Sequence, residues 1–131
     1  MNLLLDTHAL LWWLASDRKL GPFAKKQVAD PGNVVWVSAA TAWEIAIKVG
    51  IGRLDLGEPP EQCLPREIER GGFRSLAVTV AHALAVRTLP RHHADPFDRL
   101  LIAQAVTDGL RIVTADSAFD RYGVATLAAD K

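Results

Sequence analysis

The strongest chemical signal in this chain is a set of four acidic residues that interrupt otherwise apolar or regular segments. They are Asp6 after a run of leucines, Glu44 and Asp98 inside helical apolar patterns, and Asp116 after a strand-like run. Two carboxylates about 5 Å apart repel by about 3 kcal/mol at an effective dielectric of about 20, so four that converge need a neutralising cation. Mg²⁺ or Mn²⁺ suits carboxylate oxygens better than zinc, whose usual cysteine and histidine set is absent. The chemistry predicted is metal-assisted hydrolysis of a phosphodiester.

The four acids can meet only if the fold brings them to one edge of a sheet, and the sequence predicts such a fold. Strand-like runs cover residues 3–5, 34–37, 74–77, 111–114 and 124–125. Helical patterns cover residues 9–14, 23–29, 39–49, 61–70, 80–86, 96–108 and 117–120. This alternation predicts an α/β fold with a mostly parallel sheet covered on both faces, which binds ligands beyond the carboxyl ends of its strands. Asp6 and Asp116 fall at that edge, and the helix of Glu44 begins there at Ser38.

Length and composition narrow the class of protein. A chain of 131 residues that is half apolar is expected to form one domain, residues 1–131, with a substantial core. Fifteen Lys and Arg balance fifteen Asp and Glu, so no global positive field attracts nucleic acid, and a polyanion must be held by a local patch or a metal.

The single cysteine and the hydropathy pattern indicate where the protein works. Cys63 has no partner for an internal disulfide, a thiolate zinc cluster or a redox pair, which favours a reducing cytosol. No export signal is visible, and no apolar run reaches the roughly eighteen residues that a membrane span needs. We therefore expect a soluble, cytoplasmic protein without a membrane partner.

Four segments also resemble a known family. They are residues 3–8 (LLLDTH), 38–48 (SAATAWEIAIK), 93–105 (HADPFDRLLIAQA) and 113–116 (VTAD), and they occur in the family's order over essentially the whole chain. They resemble the PIN-domain ribonucleases, and within them the VapC-like toxins. The resemblance implies a three-layer α/β/α sandwich with a PIN-like central sheet. It also implies that Asp6, Glu44, Asp98 and Asp116 are catalytic and bind one or two Mg²⁺ or Mn²⁺ ions, with a water that attacks an RNA phosphodiester.

The same resemblance implies supporting residues and partners. Thr7, Ser38 and Thr114 would lie near the acids, where hydroxyls can bind phosphate, metal-bound water or a carboxylate. Members of the family are typically toxins neutralised by a small VapB-like antitoxin protein, and they commonly form homodimers. RNA substrate, antitoxin and a second copy of the chain are therefore the expected partners.

Each acid also has a purely structural alternative. Asp6 and Asp116 can cap the helices that follow them, and Glu44 can pair with Lys48 across one helical turn. In the segment Asp95-Pro96-Phe97-Asp98, one acid is expected to cap the helix while the other points inward. The residues alone leave that choice open, and the family resemblance favours Asp98 as the inward one.

Three further residues are candidates for contact with the substrate. Lys48 and Arg53 flank the glycine turn after the Glu44 helix and can line a phosphate groove. His93 precedes the acidic helix start and can contact a phosphate.

Two other functions fit the same residues. One is a Mg²⁺-dependent phosphatase or phosphoacceptor domain with Asp6 as nucleophile, although no second aspartate follows two residues later. The other is a PIN-like module that binds RNA or protein without cutting. The presence of all four acids favours the enzyme.

Overall fold

Five parallel strands form the centre of the molecule in the computed structural model, which describes residues 1–131 throughout. The strands are β1 (Asn2–Leu5), β2 (Val34–Ser38), β3 (Arg74–Leu76), β4 (Arg111–Thr114) and β5 (Thr126–Ala128). Their order across the sheet is β3-β2-β1-β4-β5, and every neighbouring pair is parallel. The chain therefore adds β2 and β3 on one side of β1, and then crosses over to add β4 and β5 on the other side.

Six α-helices and two short 3₁₀ helices cover the sheet. The α-helices are α1 (Thr7–Leu14), α2 (Pro22–Ala29), α3 (Ala39–Gly50), α4 (Pro60–Arg70), α5 (Val80–Ala85) and α6 (Pro96–Asp108). The 3₁₀ helices are Val86–Thr88 and Ser117–Tyr122. None of these helices has both the length and the apolar character needed to span a membrane.

Alternate residues of β1 enter two separate cores, one on each face of the sheet. Leu3 and Leu5 belong to the core that also contains residues of α1, α2, α3 and α4. Leu4 belongs to the second core, where α6 contributes Leu101 and Ile102. Because successive side chains of a strand point to opposite faces, a strand that is apolar throughout must be covered on both sides. The predicted three-layer α/β/α sandwich is confirmed.

Most element boundaries follow from local capping. Ser38 accepts a hydrogen bond from the Ala40 amide at the start of α3, and Thr79 forms a capping box with His82 at the start of α5. The last strand was predicted two residues too early. Gly123 adopts φ 68°, ends the preceding 3₁₀ helix and starts the connection, so residues 124–125 precede the pairing of Thr126 with Ile112.

Helix α4 carries the only cysteine, and it packs beside α3 over an apolar groove. Cys63 is buried, and this burial raises the pKa of its thiol above the ordinary value. The groove has a volume of about 580 Å³ and is lined by Ala42 and Ala46 of α3 and by Leu64 and Ile68 of α4. Neighbouring Trp43 is 59% exposed. These two helices therefore leave an apolar surface open to solvent.

Candidate metal and active site

The site lies where the direction of strand addition reverses. β1 pairs with β2 on one side and with β4 on the other, so the crevice beyond the carboxyl ends of β1 and β4 is the switch point of the sheet. Asp6 follows β1 directly, and Asp116 lies two residues beyond β4. The α/β topology therefore places these two acids at the edge where open sheets of this class bind ligands.

Asp6 is both a helix cap and a member of the acidic cluster. Its Oδ1 accepts a hydrogen bond of 2.8 Å from the Ala9 amide at the start of α1, and the residue is only 4% exposed. Burial raises the pKa of Asp6, while the Thr114 hydroxyl and the Ala9 amide act in the opposite direction. The negative charge of Asp116 also contributes to the rise. The capping role and the site role predicted for Asp6 are thus compatible.

Glu44 reaches the site from the second turn of α3 and is held by two side chains. Thr7 donates a hydrogen bond of 2.6 Å to Oε1, and the Lys48 ammonium lies 2.6 Å from Oε2. Glu44 is 4% exposed, so this carboxylate is neutralised by an ion pair in an otherwise buried position. The structure contains both the i, i+4 pair with Lys48 and the predicted support from Thr7.

The choice between the two aspartates at the start of α6 is settled by their hydrogen bonds. Asp95 Oδ1 accepts from the amides of Phe97 and Asp98, at 2.8 and 3.3 Å, and so is the N-cap. Asp98 lies one turn further along α6 and does not cap the helix, so its carboxylate belongs to the acidic cluster. Its Oδ2 contacts His93 Nε2 at 2.9 Å.

The electrostatics of Asp98 show that the acids share one environment. The pKa of Asp98 is raised to about 7, first by burial and next by the charge of Asp95, with His93 acting against the rise. The charges of Asp6 and Glu44 raise it further. Carboxylates from β1, α3 and α6 therefore act on one another, as the four-acid hypothesis requires.

His93 lies between two of the acids. Its Nε2 is 2.9 Å from Asp98 Oδ2 and 3.3 Å from Asp116 Oδ2. Neither contact has hydrogen-bond geometry, so Nε2 is a buried polar atom without a hydrogen-bond partner that lies against two carboxylates. On the other side of the ring, the Asp95 amide donates to Nδ1 at 3.4 Å. That contact favours the neutral tautomer with its hydrogen on Nε2.

Asp116 is the most accessible of the four acids. Its side chain is 45% exposed, and its Oδ1 accepts from the Ala118 amide at the start of the following 3₁₀ helix. The Asp116 amide in turn donates to the Thr114 hydroxyl at 3.0 Å. Thr114 thus supports both strand-end acids, because its hydroxyl also lies beside Asp6.

Ser38 has a different role from the other two hydroxyl residues. It donates to Gln104 Oε1 at 2.6 Å and accepts from the Ala40 amide, so its hydroxyl touches none of the four carboxylates. Gln104 is fully buried on α6 and also donates to the carbonyl of Ala77. This bridge fixes α6 against the end of β2. No role was predicted for Gln104, although an amide inside an apolar helical run is a signal that the sequence contains.

The two basic residues predicted to contact substrate differ in availability. Lys48 is engaged by Glu44, whereas Arg53 is exposed and its side chain makes no hydrogen bond or ion pair. His93 is in the position expected of a substrate contact, at the margin of the acidic cluster.

The donor set fits a hard divalent cation. One ligand atom each from His93, Asp98 and Asp116 lie within 4.8 Å of one another. Asp6 and Glu44 add buried negative charge that acts on Asp98. Carboxylates held together at raised pKa are stabilised by a cation that takes oxygen ligands, with the His93 N–H at the edge of the set.

Comparisons with known proteins bear on the family and the fold. The family model for the PIN domain matches residues 3–125. Ribonuclease VapC22 of Mycobacterium tuberculosis is 31% identical over 116 residues, which cover 88% of this chain and 87% of that protein. Among solved structures, VapBC2 from Rickettsia felis bound to a DNA fragment from their promoter has a TM-score of 0.74 at 13% identity, over 97% of this chain and 98% of that chain. FitAcB from Neisseria gonorrhoeae has a TM-score of 0.63 at 22% identity, over 97% of each chain.

Proposed function

The chain belongs to the PIN domain family, and from that premise we propose that it is a metal-dependent endoribonuclease, the toxin of a toxin–antitoxin pair. The observation that carries the proposal is the convergence of Asp6, Glu44, Asp98 and Asp116 at the switch point of the sheet. Ribonuclease VapC22, which this chain matches over 87% of its length, supports RNA as the substrate.

The four acids would hold one or two Mg²⁺ or Mn²⁺ ions. Such an ion lowers the pKa of a bound water and neutralises the charge that develops on the phosphate. Thr7 holds Glu44 through its hydrogen bond to Oε1, and Thr114 backs both strand-end acids. Ser38 acts through Gln104, which fixes the helix that carries Asp98. The role of these hydroxyl residues is to keep the acids in position.

Basic residues around the acids would bind the RNA. In the tautomer favoured by the Asp95 amide, His93 directs an N–H toward the edge of the cluster, where it can donate to a phosphate oxygen. Arg53 has no partner within the chain and is free to contact the RNA backbone, while Lys48 reaches substrate only by exchanging its contact with Glu44.

The apolar surfaces of the molecule suit protein partners. The groove between α3 and α4, with Trp43 exposed nearby, suits an apolar segment of a VapB-like antitoxin, since exposed apolar clefts mark interaction sites. Val80 and Leu84 are exposed one turn apart on α5, which packs against α6, and we assign that face to the homodimer. An RNA substrate and a free, buried Cys63 both support the cytoplasmic location that we propose.

The test is RNA cleavage by the purified chain. Structured RNAs are incubated with Mg²⁺ or Mn²⁺, and cleavage is compared with that by Asp6→Asn, Glu44→Gln, Asp98→Asn and Asp116→Asn variants of confirmed folding. Cleavage that needs the ion and disappears in the variants supports the proposal. Cleavage that persists unchanged in all four variants contradicts it. Hydrolysis of a phosphate monoester with intact RNA would place the chain in a different enzyme class.

A further inference from the structure

A basic groove adjoins the acidic site and is not explained by it. Residues 86–94 and the first turn of α6 enclose a cavity of about 660 Å³. Its lining residues are Val86, Arg87, Arg91, His92, His93, Ala94 and Arg99. This set contains three arginines and no carboxylate, in a chain whose formal net charge is zero. We call this cavity the arginine groove.

The arginine groove and the acidic cluster meet at one residue. His93 lines the groove, and its Nε2 contacts both Asp98 and Asp116. An extended polyanion lying in the groove would therefore pass directly to the carboxylates. A polymeric substrate has phosphates on both sides of the bond that is cut, and the site needs positive charge to hold those neighbours.

The three arginines have different tasks. The Arg99 guanidinium donates hydrogen bonds to the carbonyl oxygens of Pro90, Val86 and Leu89, at 2.7, 3.1 and 3.4 Å. It is thereby a positioning residue, because it ties residues 86–90 to the helical turn that carries Asp98. Its last contact is the Tyr122 hydroxyl, at 3.3 Å.

Arg87 and Arg91 have no such engagement. Both are exposed, and neither side chain makes a hydrogen bond or an ion pair within the chain. An arginine whose guanidinium keeps all its donors free is suited to bidentate contact with phosphate. Beside them, the ring of His92 stands edge-on to Tyr122 at a centroid distance of 5.3 Å, which adds an aromatic surface for an unpaired base.

From this arrangement we infer that the arginine groove is the RNA-backbone subsite of the enzyme, with Arg87 and Arg91 bound to phosphates that flank the scissile bond. The inference rests on the proposed ribonuclease function and assigns its substrate contacts. An acidic segment of a protein partner would match the same charges, but only a polymer that continues into the acidic cluster explains why the groove opens there.

Binding of RNA without cleavage tests the groove directly. A fluorescently labelled single-stranded RNA of mixed sequence is titrated in EDTA with the full chain, the double variant Arg87→Ala/Arg91→Ala, and Arg18→Ala as a matched control. Arg18 is also exposed and unpaired but does not line the groove. We expect the double variant to bind about tenfold more weakly or worse, and the slope of log K against log salt to fall by about 1.4. Arg18→Ala should leave both unchanged.

Steady-state kinetics in Mn²⁺ separates substrate binding from chemistry. The double variant should raise KM and leave kcat within about twofold, because the acids and His93 are intact. Calorimetric titration with Mn²⁺ alone should be unaffected, and Arg87→Lys/Arg91→Lys should restore part of the affinity. Wild-type affinity, salt slope and KM in the alanine double variant would overturn the inference, and so would loss of antitoxin binding with normal RNA binding.

These outcomes separate the inference from the proposed function. Cleavage by the wild type with an unaltered double variant rejects the groove and keeps the ribonuclease. Arginine-dependent RNA binding without cleavage keeps the groove and rejects the ribonuclease. A wild-type chain that neither binds nor cleaves RNA rejects both.

Discussion

Each end of helix α6 contributes an aspartate to a histidine–aspartate pair, and the two pairs have similar contacts. At its start, His93 Nε2 lies 2.9 Å from Asp98, and at its end, His82 Nε2 lies 3.0 Å from Asp108. In both pairs a backbone amide donates to Nδ1, from Asp95 in the first and from Thr79 in the second. The local contacts therefore do not distinguish a functional pair from a structural one.

The two pairs differ in the number of acids that surround the histidine. His82 is buried and forms a hydrogen bond with Asp108, which joins α5 to α6. It also completes the capping box with Thr79 at the start of α5. His93 faces two acids, and Asp6 and Glu44 act on the first of them as well, which raises the pKa of Asp98 to about 7. A satisfied pair stabilises the fold, whereas a cluster with excess negative charge needs a further ligand.

The largest expected effect comes from neutralising the acid in each pair. Asp98→Asn should lower the rate of RNA cleavage by about a thousandfold, equivalent to about 4 kcal/mol of transition-state stabilisation. Asp108→Asn should leave the rate per folded molecule within about twofold, because this acid lies at the other end of the helix. Initial rates in Mg²⁺ or Mn²⁺ measure both, and equal losses in the two variants would erase the distinction.

Replacing the histidine of the acidic site should have an intermediate effect on activity. We expect His93→Gln to reduce kcat/KM about 10- to 100-fold, the range seen when residues beside metal ligands are changed. The free energy of unfolding should change by less than about 0.5 kcal/mol, because Nε2 makes no hydrogen bond in the fold and the one to Nδ1, from the Asp95 amide, is long at 3.4 Å. Urea unfolding and initial rates give the two values. A large loss of stability with unchanged kinetics would make His93 a structural residue.

Replacing His82 should lower stability and leave activity unchanged, the opposite of what we expect for His93. His82→Ala leaves the Thr79 amide and Asp108 without their partner and removes a buried ring, so we expect a loss of about 2 kcal/mol in the free energy of unfolding. Cleavage per folded molecule should match the wild type. Unaltered stability would show that the His82 pair contributes nothing net.

Metal-free protein should also show a dependence of stability on pH. Asp98 has a raised pKa, so the folded state binds a proton more tightly than the unfolded state between the ordinary value of 3.8 and about 7. This contribution is complete below the lower value and is lost as pH rises through the upper one, so the free energy of unfolding should fall across that interval. Asp98→Asn should flatten the fall, and Asp108→Asn should not. Denaturant titrations in EDTA provide the measurement.

Local features of the site could be predicted from sequence because they depend on neighbouring residues. Asp95 before Pro96 marks a helix start, and that placement puts Asp98 one turn inside the helix. A strand that ends in Asp6 predicts both a cap and an acid at the sheet edge, and the structure has both. The helix start at Ser38 predicted the approach of Glu44 to the same edge, whereas the grouping of Asp98 with the other acids depended chiefly on the family resemblance.

Contacts between distant segments could not be predicted in this way. Ser38 and Gln104 are 66 residues apart, and only the packing of α6 against the sheet brings them together. The grouping of Arg91 with Arg87 could not be predicted, because nothing local indicates that Arg99 draws residues 86–90 into a cavity wall. Such arrangements depend on tertiary geometry, in which the backbone carbonyls of one segment become the acceptors of another.

The buried thiol on α4 makes the chain its own reporter of local opening. Cys63 is buried by the fold and its raised pKa keeps it as the unreactive thiol, so an alkylating reagent reacts only when the structure around α4 opens. The labelling rate, compared with that of the unfolded chain, therefore measures how often this part of the molecule opens.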